Sequence, residues 1–438
     1  MVKNNLIVFF FLLIFALIFS AISVYTGFEE GFFILISIIG LILIAYNTMW
    51  GFAAVLFTAN LFNPSVRIAF VNIYVSNALI IITVAFMILD RLLGRREKLN
   101  HTPLELPLML FTIFAIVTLN MDTLSIQLKR IMAYTIFTLS FLMTVNLINS
   151  RKQLNRVLDL MYYATLAGSI YIIYTFIFLR FRGSVMRGFG NFVNPNAAGE
   201  YLILVLPIII YYAVKRQNLL YRLGIPVMVF ALVATVSRAA IVSLVLAFVV
   251  INTFFKKNYW YFLGTVLFII ALLFYPPVYS RLMNIINFTD NSLLARVTLW
   301  TDALRQFSQN YIVGVGAGNF FGSALPFDAK TFNGAFNQFL TVLVEMGVIG
   351  FVLYLWTTVT LFISNLQALF KNKDRYLKNI ALSVLTSVLA FQSLSMAEDP
   401  LMAIMANWAY GIILGIMYYT WKEAMNEDTG DISHISGE

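Results

Sequence analysis

The sequence predicts an all-α fold: a polytopic integral membrane protein with about 12 to 14 transmembrane helices and one large extracytoplasmic loop containing short helices. Three observations carry that prediction. Hydrophobic residues fill 61% of the 438 positions and charged residues 11%, with a mean hydropathy of +0.86, too little polar surface for a soluble globule of this size. Apolar runs long enough to cross a bilayer recur along most of the chain. Lysine and arginine concentrate in alternate connections between those runs, as retention of positive charge on the cytoplasmic side requires. The net charge of +9 is therefore topological, and no nucleic-acid partner is expected.

Taken in order, residues 6–25 follow Lys3 and read as an anchoring span, because no small-residue cleavage site comes after them. Residues 32–46 and 50–62 are short for full crossings and read as two tilted helices or one re-entrant pair. Further spans are read at 73–89, 104–119, 131–148 and 157–179, then, after a polar connection, at 201–214, 223–236, 239–255 and 259–275. Beyond a long connection come 339–369, 380–396 and 401–421. This divides the chain into helices at 1–276, a large extracytoplasmic loop at 277–338, the last three helices at 339–421, and a polar, cytoplasmic, unstructured tail at 422–438. With both termini cytoplasmic, Arg91, Arg95, Arg96, Arg151, Lys152, Lys256, Lys257, Lys371 and Lys373 all fall on the inner side.

Several chemistries are excluded by composition. The chain has no cysteine, which removes disulfides, thiolate metal ligands and a cysteine nucleophile. Its two histidines, His101 in a basic connection and His434 in the polar tail, leave no histidine metal cluster and no histidine base within an apolar site. Neither a metal nor another cofactor is expected.

The basic residues assigned to the outer side are nearly all arginine, whereas the inner set mixes arginine with lysine. A guanidinium is a planar, permanently charged fork that matches phosphate and pyrophosphate oxygens, while a lysine suffices as a topological charge. The pattern points to an anionic ligand at the outer membrane edge. One cluster is the loop of Arg180, Arg182 and Arg187, where three glycines permit close backbone approach and Asn194 and Asn196 offer amide donors; the alternative is a loop leading into a helix capped by Asn196. A second is Ser237-Arg238, between two apolar runs, where an arginine must either snorkel or be paired. The third is an amphipathic helix over 290–309, with Leu293, Val297, Trp300, Leu304 and Phe307 on one side and Arg296 among them, while Asp302, Arg305 and Gln306 lie elsewhere on the wheel. Burying an unpaired guanidinium costs several kcal/mol, so Arg296 demands an anionic partner. The glycine-spaced turn that follows, 314–319 with Gly316 at its centre, reads either as a phosphate-binding or as a flexible turn.

Five motifs in sequence then resemble one known family. Asn194-Pro195-Asn196 before a helix, Ser237-Arg238-Ala239-Ala240 at the start of another, Arg296 four residues before Trp300, GVGAGNF at 314–320 and FNQFLTVLVEMGVIG at 336–350 together resemble the O-antigen ligase and polymerase family of polytopic membrane proteins. The resemblance covers 187–351; earlier spans agree only in general character. It implies a helical fold of the lipid-dependent, GT-C-like glycosyltransferase type in the bacterial cytoplasmic membrane. It further implies transfer of sugars from undecaprenyl pyrophosphate at the outer face, without nucleotide or, in the ligases, metal. By position, Arg238 and Arg296 match the family's essential arginines, and Arg187, Asn337 and Glu345 match recurrent positions.

One departure bears on the reaction. The ligases carry a histidine before the asparagine corresponding to Asn337, and Phe336 stands there in this chain. A carboxylate is the remaining candidate for a base: Glu345, which alternatively serves as a structural partner for an outer arginine, or Glu398, beside Asp399 on an outer connection. The expected catalytic set is Arg238, Arg296, Glu345 and Glu398, with Arg182, Arg187, Asn194, Asn196, Arg305, Gly316 and Asn337 binding substrate. The activity expected is a surface polysaccharide polymerase, with a ligase or, from a different class, a lipid-linked glycan transporter or flippase as alternatives. The partners implied are an undecaprenyl-pyrophosphate-linked oligosaccharide, an acceptor glycan and membrane lipid, with a chain-length regulator and a flippase as associated proteins. The aromatic residues Trp300, Phe320, Phe321, Phe327 and Phe332 read as packing residues or as a platform for sugars.

Overall fold

A computed structural model describes residues 38–68, 71–94, 100–120, 123–181, 187–255, 283, 291–323, 331–402 and 404–429. The expected spans at 6–25 and 259–275 lie outside the described residues, as do Arg182, Phe327 and the last nine positions. After a helical stretch at 38–46, the elements are α1 (Thr48–Leu61), β1 (Ser65–Ile68), β2 (Val71–Tyr74), α2 (Val75–Leu92), α3 (Glu105–Val117), α4 (Leu124–Leu147), α5 (Arg151–Phe181), α6 (Pro195–Arg216), α7 (Leu219–Thr235) and α8 (Arg238–Phe255). They continue with α9 (Asn291–Gln309), β3 (Phe321–Ser323), β4 (Thr331–Asn333), α10 (Gln338–Lys371), α11 (Arg375–Leu394) and α12 (Ile404–Thr429).

The helices follow the hydropathy because a backbone in hydrocarbon must satisfy its own N–H and C=O groups. Six of them, α2, α4, α5, α6, α10 and α11, are long and apolar enough to cross a membrane, and α1, α3, α7 and the Arg238–Val250 part of α8 are shorter apolar helices. This is an all-helical, multi-pass architecture. Helix starts are written in side chains that accept from the first free N–H groups: Asn47 from Met49, Asn218 from Leu220, Asp374 from Tyr376 and Asn337 from Leu340.

Four local expectations are corrected. Residues 65–68 and 71–74 form an antiparallel hairpin, with Ser65 paired to Tyr74 and Ile68 to Val71, so the span read from 73 is helical only from Val75. Helix α4 begins at Leu124, well before the apolar run at 131–148, and so carries Arg130 inside it. Helix α12 continues to Thr429, so residues 422–429, read as unstructured tail, are helical. The buried face of α9 is Ala295, Leu299 and Ala303, with Trp300 and Phe307 packed beside them, whereas Val297 and Leu304 are exposed. Small alanines mark a close helix contact better than large aliphatic residues do, and the hydrophobic wheel underweights them.

Helices α4, α6, α10, α11 and α12 form the centre of the bundle, α12 lying against α4 and α10, and α11 against α6 and α8. Polar side chains join helices across the interior: Tyr201 of α6 meets Asn60 of α1 at 3.1 Å and Thr165 of α5 at 2.8 Å. At the basic end, Asp159 of α5 accepts from Tyr212, Tyr221 and Arg216, each at 2.6 Å, and Arg151 meets Asp374 at 2.8 Å. Residues placed there for topology therefore also tie α5, α6, α7 and α11 together.

The long helix α10 is interrupted at Gly347, with φ 62° and ψ −166°, and the interruption is repaired by a segment from outside the helix. In an unbroken helix Val348 and Ile349 would donate to the carbonyls of Val344 and Glu345. Instead they donate to Tyr311 and Ile312, at 2.9 and 3.3 Å, while Val315 and Gly316 donate to Val344 and Glu345 at 3.0 and 2.8 Å. The glycine-spaced turn is thus a strap whose main chain replaces two rungs of the helical ladder. A Cβ on Gly347 would collide with the Ile312 carbonyl. Glycine-to-alanine replacement ordinarily stabilises a helix interior; Gly347→Ala is expected to destabilise the protein by about 1–3 kcal/mol, seen as a lowered thermal midpoint in detergent.

Candidate active site

The site is built where α6, α8, α9 and the α11–α12 connection meet at the loop end of the bundle. Asn194, fixed in an extended conformation, caps α6 by accepting from Ala197 at 2.9 Å, and Pro195 occupies the first turn, where a missing N–H costs nothing. The cap read at Asn196 is therefore Asn194, and the amide of Asn196 is left to reach across the site. Arg187 lies half-buried in the loop before α6. Its Nε donates to the Thr235 carbonyl at 2.9 Å, at the C-terminal end of α7, and its Nη2 donates to Asn196 Oδ1. The Asn196 Nδ2 then donates to Glu398 Oε1 at 3.1 Å.

Arg238 reaches the same place from another direction. Val236 ends α7 in the left-handed region at φ 49°, an uncommon conformation for a β-branched residue, and so turns Ser237-Arg238 back to open α8. The α8 start can lie against α6 because Gly199 is there: a Cβ on it would stand 2.9 Å from Ser237 Cβ and from Ala240 Cβ. Arg296, one-fifth exposed on α9, donates from Nη2 to Glu398 Oε1 at 2.7 Å, and its guanidinium lies 5.8 Å from the centre of the Phe336 ring. Trp300, one turn further along α9, donates to the Ala335 carbonyl at 2.9 Å and fixes the helix against the start of α10. Arg187, Arg238 and Arg296, widely separated in sequence, all act on the Glu398 carboxylate.

Glu398 and Asp399 are neighbours in the connection between α11 and α12, yet they face different groups. Asp399 accepts from the Phe336 N–H at 2.9 Å and from Thr341 Oγ1 at 2.8 Å, at the N-terminus of α10, and lies beside Arg130. Burial lifts its carboxyl above the usual range, opposed by Arg130 and these hydrogen bonds. Phe336 is held at φ 48° by that contact, an unusual conformation for a bulky residue. Glu398 is 7% exposed, and burial pushes its carboxyl up to about 7; Arg296 opposes the rise, Asp399 adds to it, and Arg187 and Arg238 oppose it. It is half ionised near neutrality.

Other expected residues divide between this cluster and its supports. Glu345 does not join Glu398: it forms a fully buried ion pair with Arg130 at 2.7 Å, both side chains 0% exposed. Gly316 belongs to the strap, its N–H held by the Glu345 carbonyl, and Asn337 caps α10. Arg305 is 69% exposed and pairs with Asp302 on the outer face of α9, away from Glu398. Phe320 is fully buried against Ala303, Ala335 and Val344, a packing residue. Two participants escaped the sequence reading. Arg130, immediately before the apolar run at 131–148, reads as a connection charge; Glu200, buried one turn after Asn196, could have been found from their four-residue spacing on α6.

Among the described residues, no group of histidine, cysteine, aspartate and glutamate side chains is arranged to hold a metal ion. What the described residues bring together is a set of guanidinium groups from three parts of the chain around Glu398, at the loop end of an apolar helical bundle, with Glu200 and Asp399 beside it. The fold is that of a multi-pass membrane protein with a buried polar cluster at one end.

A family model described as O-antigen ligase matches residues 223–355, which agrees with the resemblance carried by the five motifs. The matched segment runs from α7 into α10 and includes Arg238, Arg296, Gly316, Asn337 and Glu345, while Arg187, Asn196 and Glu398 lie outside it. No curated protein matches the chain.

Removing one member of a buried ion pair leaves the other uncompensated. Glu345→Leu and Arg130→Met are each expected to destabilise the protein by about 3–5 kcal/mol, and the double variant by less than the sum. Unfolding midpoints of the three variants in detergent check this; strict additivity would break the pairing.

Proposed function

We propose that this protein is a surface polysaccharide polymerase, joining oligosaccharide repeat units carried on undecaprenyl pyrophosphate at the outer face of the cytoplasmic membrane. The observation that carries the reading is the convergence of Arg187, Arg238 and Arg296 on one carboxylate. Two phosphates joined in a diphosphate present several oxygens to guanidinium groups approaching from different sides, which a single ion pair cannot match. Arg238 and Arg296 bind the diphosphate and stabilise the charge that grows on it as the bond to the anomeric carbon breaks. An acceptor hydroxyl oxygen forms the new bond to that carbon. Its proton passes to Glu398, and the bonding pair leaves with the carrier diphosphate. Cleavage of the glycosyl diphosphate drives the transfer, so no nucleotide is consumed.

Glu398 is favoured as the base because it lies within the arginine cluster, whereas Glu345 is paired to Arg130 and Asp399 is engaged by the α10 N-terminus. Phe336, where the ligases resembled carry a histidine, presents its ring to Arg296. His101 lies 83% exposed beside Glu105 and offers no substitute. That difference supports polymerase over ligase. The second reading, a ligase transferring glycan to another acceptor, is supported by the description of the matching family model.

Purified protein in lipid nanodiscs, supplied with defined lipid-linked repeat units, separates these readings. Longer glycans support the polymerase, a single addition to a different acceptor supports the ligase, and transbilayer movement without new bonds overturns both in favour of a transporter. Arg296→Ala is expected to lower turnover by about 10²–10³ fold in protein that inserts normally; full activity would remove the assignment. A base must be ionised to accept a proton. With Glu398 titrating at about 7, kcat/KM is expected to fall about tenfold per pH unit below that value, and a flat profile down to pH 5 would exclude this carboxylate.

A further inference from the structure

The Glu398 carboxylate pairs directly with Arg296 and carries the through-space influence of Arg187 and Arg238. One oxygen, Oε1, receives both the Arg296 guanidinium at 2.7 Å and the Asn196 amide at 3.1 Å, and the side chain is 7% exposed. An anion held in this way satisfies the same donors that a diphosphate would use. It sits on the turn between α11 and α12, so its side chain can leave the cleft without unwinding either helix.

Glu200 supplies a second observation. It follows Asn196 by one turn of α6, is 5% exposed, and faces both Glu398 and Asp399. Its Oε2 is fully buried and has no hydrogen-bond partner. A buried carboxyl oxygen without a donor is costly unless something donates to it at some stage of the cycle. A protonated carboxyl group is such a donor.

Resting on the polymerase or ligase reading above, we propose that Glu398 is an internal competitor for the donor diphosphate, displaced from Arg296 when the donor binds and received by Glu200, which positions it to take the acceptor's proton. Before the donor binds, Glu398 offsets part of the charge of the guanidinium groups, which lowers the electrostatic cost of gathering them. When the diphosphate takes the donors, Glu398 loses its cationic neighbour and becomes a stronger base. Donor binding thus makes Glu398 the stronger base while demanding a higher pH to keep it ionised, which places the acid limb of kcat above that of kcat/KM. Glu200 is a positioning residue, acting through Glu398 and not on the substrate.

The charged groups facing Glu398 are Arg187 from the loop before α6, Arg238 from α8, Arg296 from α9, Glu200 from α6 and Asp399 beside it. The sign of the pH effect follows from displacement. A donor that expels the carboxylate from its cationic partners raises its proton affinity, so binding takes up protons and tightens as pH falls through about 7. A sugar diphosphate esterified at both ends has no ionisation of its own near neutrality, so the change belongs to the protein.

The test measures binding of a short-chain prenyl diphosphate sugar to full-length protein in nanodiscs from pH 6 to 8.5. Wild type is expected to bind about tenfold more weakly at pH 8 than at pH 6. Glu398→Gln is expected to bind more tightly than wild type at pH 8, without pH dependence and without turnover. Glu200→Gln is expected to keep wild-type affinity at pH 6 and to shift the acid limb of kcat; in wild type that limb lies above the limb of kcat/KM. Binding by wild type without tightening in Glu398→Gln, or with no pH dependence, overturns the competitor role and leaves the functional reading intact. An unshifted limb in Glu200→Gln removes Glu200 from it. The pH series on wild type alone decides the matter if Glu398→Gln fails to fold. Absence of binding by any folded variant overturns the functional reading and this inference together.

Discussion

Charge in or beside hydrocarbon must be matched, and at the loop end of this bundle that constraint organises the structure. Four arginines and four carboxylates are gathered in a small region, where each arginine lies near at least one carboxylate. They resolve into two layers. In one, Arg130 pairs with Glu345 and supports Asp399, deep among α4, α10 and the α11–α12 turn. In the other, Arg187, Arg238 and Arg296 surround Glu398 nearer the surface. The first is closed by groups within the chain. In the second, Glu398 pairs directly with Arg296, and Glu200 and Asp399 lie beside it.

The layers are joined through adjacent residues. Asp399 holds the turn against the N-terminus of α10, and this fixes where Glu398 begins. Gln338 contributes from the same helix end, its N–H donating to the Ser395 carbonyl at 2.7 Å and its Oε1 accepting from Leu401 at 3.2 Å. A rigid floor beneath a replaceable side chain suits a site that must stay assembled while its own carboxylate moves.

Hydropathy made most of the helices legible, because each apolar run must satisfy its backbone internally and no other fold does this in a bilayer. Reading failed where a polar residue continues a helix. Arg130 looks like a loop charge beside an apolar run, and only its partner 215 residues away explains its place inside α4. Single-sequence patterns carry no information on such distant pairs. The arginine cluster was legible in part, since guanidinium groups in apolar settings demand anions whatever their neighbours. The anion present in the cleft, Glu398, was visible only as a candidate base. Asn194 and Asn196 show a finer limit: both suit a cap, and backbone geometry alone assigns that task to the first.

The strap that completes α10 bears on how such proteins can be recombined. Since residues 311–316 provide main-chain groups that the helix itself lacks at Gly347, the segment between α9 and α10 and the helix are one hydrogen-bonded unit. The segment is therefore no detachable cassette. A chimera that imports a relative's loop without the matching stretch of α10 would inherit a severed ladder, and exchange of substrate preference between family members would have to move both pieces at once.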